Sequence, residues 1–227
     1  MDKSILVVAA HPDDEAIGCC GTLIKHINNG DSVQIIYMTN GESSRVSDNQ
    51  KQIEVNVAER NQAAISFNNS LGAKPPIFLD FPDNKMDSIP LLDVVQAIEK
   101  ALSNQAFDMV YTHHLGDLNI DHRITAQAVL TCFRPMADCP VSTILSFEVN
   151  SSTEWQFDKS QAFQPNYFVD ISDLTQQKLA LLKCYDDEMR NFPHPRSYQA
   201  IDNLSAVRGS VIGKNNAEAF VLLRHCQ

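Results

Sequence analysis

The stretch that most constrains the fold is residues 5–15, where an apolar run leads directly into a cluster of charge. The run Ile-Leu-Val-Val-Ala-Ala at 5–10 is typical of a β-strand buried on both faces of a sheet. His-Pro-Asp-Asp-Glu follows at 11–15, so an imidazole and three carboxylates lie at the carboxyl end of that strand. In open α/β sheets, ligands and catalytic groups collect at this end. The stretch therefore predicts an α/β fold with a functional site where the first strand ends.

Two side chains of this cluster, His11 and Asp14, are a nitrogen and an oxygen ligand close enough to share one ion, and zinc accepts both. Asp13 lies between them and is available as a base acting on water at the metal. The alternative is a solvated turn whose carboxylates cap the next helix, because acidic residues favour helix N-termini. Residues 11–15 alone leave both interpretations open, and the downstream sequence separates them.

Strand and helix patterns alternate along the first two thirds of the chain. The predicted strands are residues 5–10, 33–39, 77–79 and 109–112, and the predicted helices are residues 22–29, 53–72, 90–102 and 124–130. This β-α-β-α-β-α-β order predicts a largely parallel sheet with helices on both faces. The last third is less regular, with strands predicted at 144–149, 167–171 and 219–223 and a helix after Asp173. A chain of 227 residues with this pattern is predicted to form a single domain, 1–227.

A second polar turn follows the fourth predicted strand, at residues 113–122. His122 lies near the start of the next helix, the same position relative to a strand end as His11 and Asp14. If strands one and four are neighbours, His122 completes a His, Asp, His set with a fourth position open for water. That arrangement is typical of catalytic rather than structural zinc. Asp121 is then placed to orient one of the metal ligands without binding the metal itself.

Composition narrows the range of partners. The net charge is −10 and no lysine–arginine cluster stands out, so neither nucleic acid nor an anionic membrane surface is expected to bind. The apolar runs are far shorter than the roughly 18 residues of a membrane span, so no span is expected. Because a core strand is predicted from residue 5, no signal peptide is expected either. Six cysteines without paired metal-binding spacing predict reduced thiols and a cytoplasmic location.

Several separated motifs together resemble the LmbE-like or PIG-L family of zinc-dependent N-acetylglucosamine deacetylases. They are His-Pro-Asp-Asp-Glu at 11–15, Gly-Thr-Leu at 21–23, Thr-Asn-Gly-Glu at 39–42, Asp-His at 121–122, Arg-Gly at 208–209 and Ala-Glu-Ala-Phe at 217–220. The resemblance implies a Rossmann-like three-layer sandwich and zinc held by His11, Asp14 and His122. It also implies Asp13 as general base, an amino-sugar substrate that loses an acyl group from nitrogen, and a homo-oligomer, a trimer or a hexamer.

The sequence departs from the family pattern at Asn119. Many members carry a histidine there, proposed to polarise the carbonyl or to protonate the leaving amine. Asparagine can donate a hydrogen bond to an oxyanion, but it cannot deliver a proton at pH 7. His194, in the rigid Pro-His-Pro at 193–195, is the predicted replacement. The alternatives are that this loop only caps the preceding helix or packs at a subunit contact, with Asp13 serving as both base and acid.

The sequence suggests further substrate-binding residues and leaves other functions open. Arg60 and Asp83 are predicted to hold sugar hydroxyls, the alternative being a surface ion pair and a turn cap. A zinc amidase for another N-acyl group fits the same residues. A nucleotide-binding protein is a further alternative, with residues 18–21 cradling a phosphate, although the full glycine fingerprint is missing. A non-catalytic glycan-binding member of the family is the last alternative.

Overall fold

A computed structural model describes residues 2–44, 50–103, 105–136 and 139–226. Its strands are β1 Ser4–Ala9, β2 Ser32–Thr39, β3 Ile77–Phe81, β4 Met109–His113, β5 Thr143–Phe147, β6 Tyr167–Asp170 and β7 Ala217–His225. Its α-helices are α1 Asp14–Gly18, α2 Cys20–Asn28, α3 Gln50–Leu71, α4 Leu91–Ala101, α5 Ile120–Cys132, α6 Thr175–Leu182 and α7 Tyr198–Val211. Short 3-10 helices cover Met86–Ser88, Thr153–Trp155, Lys159–Gln161 and Lys183–Glu188.

The strands described form one sheet in the order β3-β2-β1-β4-β5-β7-β6. Strands β1 to β5 run parallel, whereas β7 is antiparallel to both β5 and β6. From β1 the chain adds β2 and β3 on one side and then returns to add β4 on the other. The direction of winding therefore reverses between β1 and β4, which is where open α/β sheets bind their ligands.

The central strand β1 separates two apolar layers. Ile5, Val7 and Ala9 face a core shared with α2, α3 and α6, and Leu6 and Val8 face a second core shared with α4 and α5. All five side chains are fully buried, as expected of a strand covered on both faces. The predicted three-layer α/β sandwich with a mostly parallel sheet is confirmed.

Element boundaries differ from the prediction in a few places. The helix predicted from Thr22 begins earlier, at Cys20, and the short helix α1 precedes it. The strand predicted at 77–79 continues to Phe81, because Phe81 pairs with Thr39 of β2 beyond a shift in register. Among the helices described, none combines the length and apolar character that crossing a membrane requires.

The C-terminal strand is tied to the helix behind the first polar turn through Glu218. The Glu218 carboxylate accepts hydrogen bonds from the backbone N–H groups of Gly21 and Thr22, at 2.8 and 2.7 Å, and from the Thr22 hydroxyl. Lys178 Nζ lies 2.7 Å from the same carboxylate and also donates to the Ile17 carbonyl. Both partners of this ion pair are buried, and the carboxylate completes the N-terminus of α2.

The buried ion pair predicts a large stability loss in Lys178→Met. Removing the ammonium leaves the Glu218 carboxylate buried without its counter-charge, which costs about 3 kcal/mol of unfolding free energy. Lys214→Met is the matched control, because Lys214 pairs with Asp170 at 3.3 Å on the surface and such a pair contributes about 1 kcal/mol or less. Urea unfolding of both variants measures the difference, and equal losses would contradict the assigned role of Lys178.

Candidate active site

The turn after β1 is buried and strained. Every residue from 11 to 15 is buried, so the interpretation as a solvated turn is wrong. Asp13 has φ of 118°, a value that side-chain-bearing residues rarely adopt and that costs on the order of 1–3 kcal/mol. Helix α1 starts at the next residue, and the carboxylates of Asp13 and Asp14 have different partners, arginines for Asp13 and histidines for Asp14.

Glu15 anchors the turn to the core of the protein. Its carboxylate accepts hydrogen bonds from the hydroxyls of Tyr37 and Tyr185, at 2.8 and 2.6 Å. Burial raises the pKa of Glu15 to about 8, against the opposing effect of these two hydrogen bonds. The last carboxylate of the motif therefore supports the turn from within the core, where it is joined to β2 and to the 3-10 helix Lys183–Glu188.

Three donor atoms converge above the ends of β1 and β4. His11 Nδ1 lies 3.2 Å from Asp14 Oδ2, His122 Nε2 lies 3.4 Å from the same oxygen, and the two ring nitrogens are 3.3 Å apart. Tetrahedral ligands with bonds of about 2.0–2.1 Å lie about 3.3–3.4 Å from one another. The spacing of His11, Asp14 and His122 therefore suits a single tetrahedral ion.

In each of the two imidazoles, the ring nitrogen outside the converging set faces a carboxylate. His11 Nε2 lies 3.2 Å from Asp121 Oδ2 and 3.3 Å from Asp83 Oδ1, and His122 Nδ1 lies 3.2 Å from Asp117 Oδ1. Such partners place the ring proton on their own side and leave the opposite nitrogen free to bind a metal. Asp121 thus occupies the supporting position predicted for it.

A second possible donor set combines His11 with Asp83 and Asp121. It would use His11 Nε2, but both oxygens of Asp121 already accept backbone N–H groups, from Asn84 at 2.6 Å and Met86 at 3.1 Å. In Asp14, Oδ2 accepts the His11 N–H at 2.8 Å, but Oδ1 is buried without a hydrogen-bond partner among the residues described. Because a buried polar atom without a partner is costly, the set that contains Asp14 is the better fit to a metal ion.

Asp117 connects the site to the segment after β5. Ser152 Oγ and Thr153 Oγ1 both donate to its carboxylate, and Ser152 Oγ also lies 3.3 Å from His122 Nδ1. His113, the last residue of β4, stacks on His122 with ring centroids 4.0 Å apart. Its Nε2 accepts the Ala10 N–H at 2.7 Å, and burial lowers its pKa, so the ring is a neutral support.

Asp13 is held from one side by two arginines. Its Oδ2 lies 2.8 Å from Arg196 Nη1 and 3.1 Å from Arg60 Nη2. Its Oδ1 is buried and has no hydrogen-bond partner in the part of the chain that is described. Burial raises the pKa of Asp13 although both guanidiniums oppose the shift. One oxygen of the predicted base is thus fixed and the other is available.

The remaining predicted residues have identifiable positions. Arg60 is buried, and besides Asp13 it contacts Glu42, Glu188 and the Pro12 carbonyl, so the surface ion pair considered as an alternative is wrong. Asp83 is also buried; its hydrogen bonds with His11 and Ser44 outweigh burial and lower its pKa to about 2.

Asn119 and His194 each have a local structural partner. Asn119 Oδ1 caps α5 by accepting the N–H groups of Asp121 and His122, and its amide donates to Asn84. His194 Nδ1 accepts the Arg196 N–H at 3.0 Å, and its ring packs edge-on against Trp155 at 5.9 Å. The oxyanion role of Asn119 and the acid role of His194 stay predictions.

Sequence reasoning missed Asp117, Ser152 and Thr153, and it singled out His194 rather than Arg196 as the principal residue of its loop. The one available signal was Asp117, five residues before a predicted ligand and in the same turn. The other contacts depend on how distant loops cross the edge of the sheet.

The turn at 18–21 has no space for a nucleotide phosphate. The N–H groups of Gly21 and Thr22 are both bonded to Glu218. A Cβ at Gly18 would lie 2.5 Å from the Phe147 ring, and one at Gly21 would lie 2.8 Å from Ile171. These glycines permit close internal packing, and the helix N-terminus is already occupied by a carboxylate.

Comparison with known proteins agrees with this geometry. Residues 6–133, more than half of the chain, match the family described as PIG-L, GlcNAc-PI de-N-acetylase. The chain therefore belongs to the PIG-L family, and it is a hydrolytic N-deacetylase, of a kind that typically depends on a metal ion.

Individual relatives match between 80% and 99% of the chain. The uncharacterized deacetylase YaiS of Escherichia coli K12 is 28% identical over 80% of this chain and 89% of its own. N,N'-diacetylchitobiose deacetylase from Pyrococcus horikoshii is 22% identical, with a TM-score of 0.78 over 98% of this chain and 84% of its own. The 4-carboxy-2-hydroxymuconate hydratase GalB of Pseudomonas putida is 18% identical, with a TM-score of 0.72 over 99% and 98%. At these identities the two structures establish the fold, which evidently supports more than one reaction.

The position of Asn119 predicts a specific stability effect. Asn119→Ala removes the cap of α5 and should lower the unfolding free energy by about 1 kcal/mol, whereas Asn119→Ser retains an oxygen that can cap and should lose less. Urea unfolding of the two variants checks this. Equal stability of Asn119→Ala and the parent chain would show that the cap contributes nothing.

Proposed function

We propose that this protein is a zinc-dependent hydrolase that removes an N-acetyl group from an N-acetylglucosamine-type amino sugar or its conjugate. The observation that carries the proposal is the convergence of His11 Nδ1, Asp14 Oδ2 and His122 Nε2 beside Asp13, whose Oδ1 has no hydrogen-bond partner among the described residues. Family membership supports the sugar, because the family description names an N-acetylglucosamine conjugate.

Zinc suits this donor set because two imidazoles and one carboxylate leave a fourth position open. Bound there, zinc supplies a positive charge that polarises an amide carbonyl and makes water more acidic. Asp117 and Asp121 contact the ring nitrogens of His122 and His11 that point away from the metal position. His113 supports the ring of His122 by stacking on it.

The chain's own groups account for the proton transfers. Asp13 Oδ1 takes a proton from water as the water oxygen bonds to the carbonyl carbon. The carbon–nitrogen bond then breaks, and the nitrogen receives a proton from His194 or, if His194 does not act, from Asp13. Acetate and a free amine are the products. Asn119 can donate its amide N–H to the oxyanion, although it also donates to Asn84.

Substrate contacts are assigned to Arg60, Asp83 and Asn119. Asp83 lies beside His11 Nε2, and Asn119 caps the start of α5. Both are at the same edge of the sheet as Asp13. Arg60 has one donor, Nε, without a hydrogen-bond partner among the residues described. The predicted single domain, homo-oligomeric state and cytoplasmic location are kept as further parts of this proposal.

The proposal predicts that His122→Ala loses its metal. Zinc measured by plasma mass spectrometry on purified protein should fall from about one ion per chain to near zero, because two donors bind an ion much more weakly than three. His26→Ala is the matched control, since His26 bonds Asp31 and Tyr111 at the opposite edge of the sheet and should leave zinc unchanged. Full zinc in His122→Ala, with circular dichroism like that of the parent, would remove His122 from the site.

The proposal also predicts a selective effect of Asp13→Asn. The amide keeps the size of the side chain but cannot take a proton, so turnover should fall by roughly 10²–10⁴-fold with zinc retained. Acetate release from N-acetylglucosamine and N,N'-diacetylchitobiose provides the assay. Turnover close to that of the parent with zinc bound would place the base elsewhere.

A further inference from the structure

Arg196 lies at the end of the bent segment between the 3-10 helix Lys183–Glu188 and α7. Its Nη1 donates to Asp13 Oδ2 at 2.8 Å, and its Nε donates to Ser151 Oγ at 2.7 Å. The Asp13 side chain is 1% exposed, whereas the side chain of Arg196 is 19% exposed. Arg196 thus reaches from the rim of the site to a buried carboxylate and is fixed at two of its nitrogens.

The second arginine at Asp13 is engaged differently. Arg60 Nη2 donates to the Pro12 carbonyl at 2.7 Å and lies farther, 3.1 Å, from Asp13. Arg60 Nη1 contacts both Glu42 and Glu188, so the charge of Arg60 is shared among three carboxylates. Arg196 makes the shorter bond to Asp13 and has only a distant second carboxylate, Glu188 at 3.7 Å. Charge-assisted bonds near 2.8 Å are the stronger ones.

Both guanidiniums bind the same oxygen of Asp13. A carboxylate fixed at Oδ2, on a backbone fixed at φ of 118°, has little freedom to rotate. Its Oδ1 then keeps one direction, and no residue that the structure describes forms a hydrogen bond with it. A base that must meet water at one point benefits from this arrangement, because a misplacement of about 1 Å can cost about 10²-fold in rate.

We propose that Arg196 is a positioning residue, which holds Asp13 by Oδ2 so that Oδ1 takes the proton from the attacking water. This inference rests on the proposed function, because it requires Asp13 to be the base. The loop at 191–197 then contributes to catalysis through Arg196, whether or not His194 donates a proton. A purely structural Arg196 would instead tie the loop to Ser151 without affecting turnover.

The test compares Arg196→Ala, Arg196→Lys and the control Arg134→Ala, using the zinc-loaded enzyme and acetate release from N,N'-diacetylchitobiose. Arg134 is an exposed arginine that donates to the Thr131 carbonyl on the far end of α5. In Arg196→Ala, kcat should fall about 10²-fold, with KM changed less than about threefold and zinc content unchanged. The kcat of Arg196→Lys should lie between that of Arg196→Ala and that of the parent, because lysine keeps the charge but loses the planar guanidinium.

Added guanidinium provides the readout that a structural role would not move. It should restore part of kcat in Arg196→Ala, and it should restore nothing in Asp13→Asn or His194→Ala, because neither of those variants lacks a guanidinium. Unchanged kcat in Arg196→Ala, a change confined to KM, loss of zinc or absence of guanidinium rescue would each overturn the proposal.

Failure of the proposed function can be distinguished from failure of the positioning role of Arg196. If the parent enzyme binds zinc but releases no acetate from either sugar, the proposed substrate fails, and crystal structures of the parent and Arg196→Ala then decide the positioning role. An Asp13 carboxylate that turns away in the variant supports Arg196 as the residue that holds it. An Asp13 side chain with the same orientation in both structures overturns that role.

Discussion

The site depends on the pairing of two parallel strands, β1 and β4. Their register joins Ile5 to Met109, Leu6 to Val110 and Val7 to Tyr111, so the two strands end at the same edge of the sheet. The chain reaches β4 only after winding outward through β2 and β3, and this reversal opens the crevice in which His11 and His122 meet. Ligands about 110 positions apart in sequence are thus adjacent because of strand order.

Burying so many charges together is costly, and the structure offsets the cost by pairing them. Each imidazole of the donor set has a carboxylate behind it, and those carboxylates accept backbone or hydroxyl hydrogens. Asp13 has two arginines, and Glu15 has two tyrosines. Exceptions among the residues described include Asp13 Oδ1 and Asp14 Oδ1, which are buried without hydrogen-bond partners. Unpaired atoms of this kind at the end of a strand are expected where a protein keeps room for water, a metal ion or a substrate.

Much of this could be predicted from the sequence, because periodicity and strand order are local properties. The run at 5–10 predicted a strand buried on both faces, and the alternation of elements predicted the parallel sheet on which His11, Asp14 and His122 converge. The strand at 219–223 was predicted, but the antiparallel direction of β7 was not, since the direction of a strand depends on where a long connection returns. The motif Ala-Glu-Ala-Phe at 217–220 could be noticed, but its purpose, Glu218 on the N-terminus of α2, requires the fold.

Residues that act through loops were the hardest to predict. Ser152 and Thr153 bond Asp117 from beyond β5, and no local pattern marks them. In the loop at 191–197 the sequence favoured His194, since histidine commonly transfers protons. The structure places Arg196 on Asp13 and uses His194 Nδ1 to accept the Arg196 N–H. Asn119 stands where many family members carry a catalytic histidine, and in this fold its oxygen caps a helix, a role that asparagine fulfils well.

The most direct test of the central claim is anomalous X-ray diffraction at the zinc absorption edge, on crystals of the zinc-loaded protein. The account predicts one peak bounded by His11 Nδ1, Asp14 Oδ2 and His122 Nε2, with Asp13 beside it and Asp121 still on His11 Nε2. A peak among His11 Nε2, Asp83 and Asp121, or no peak in this crevice, would contradict it.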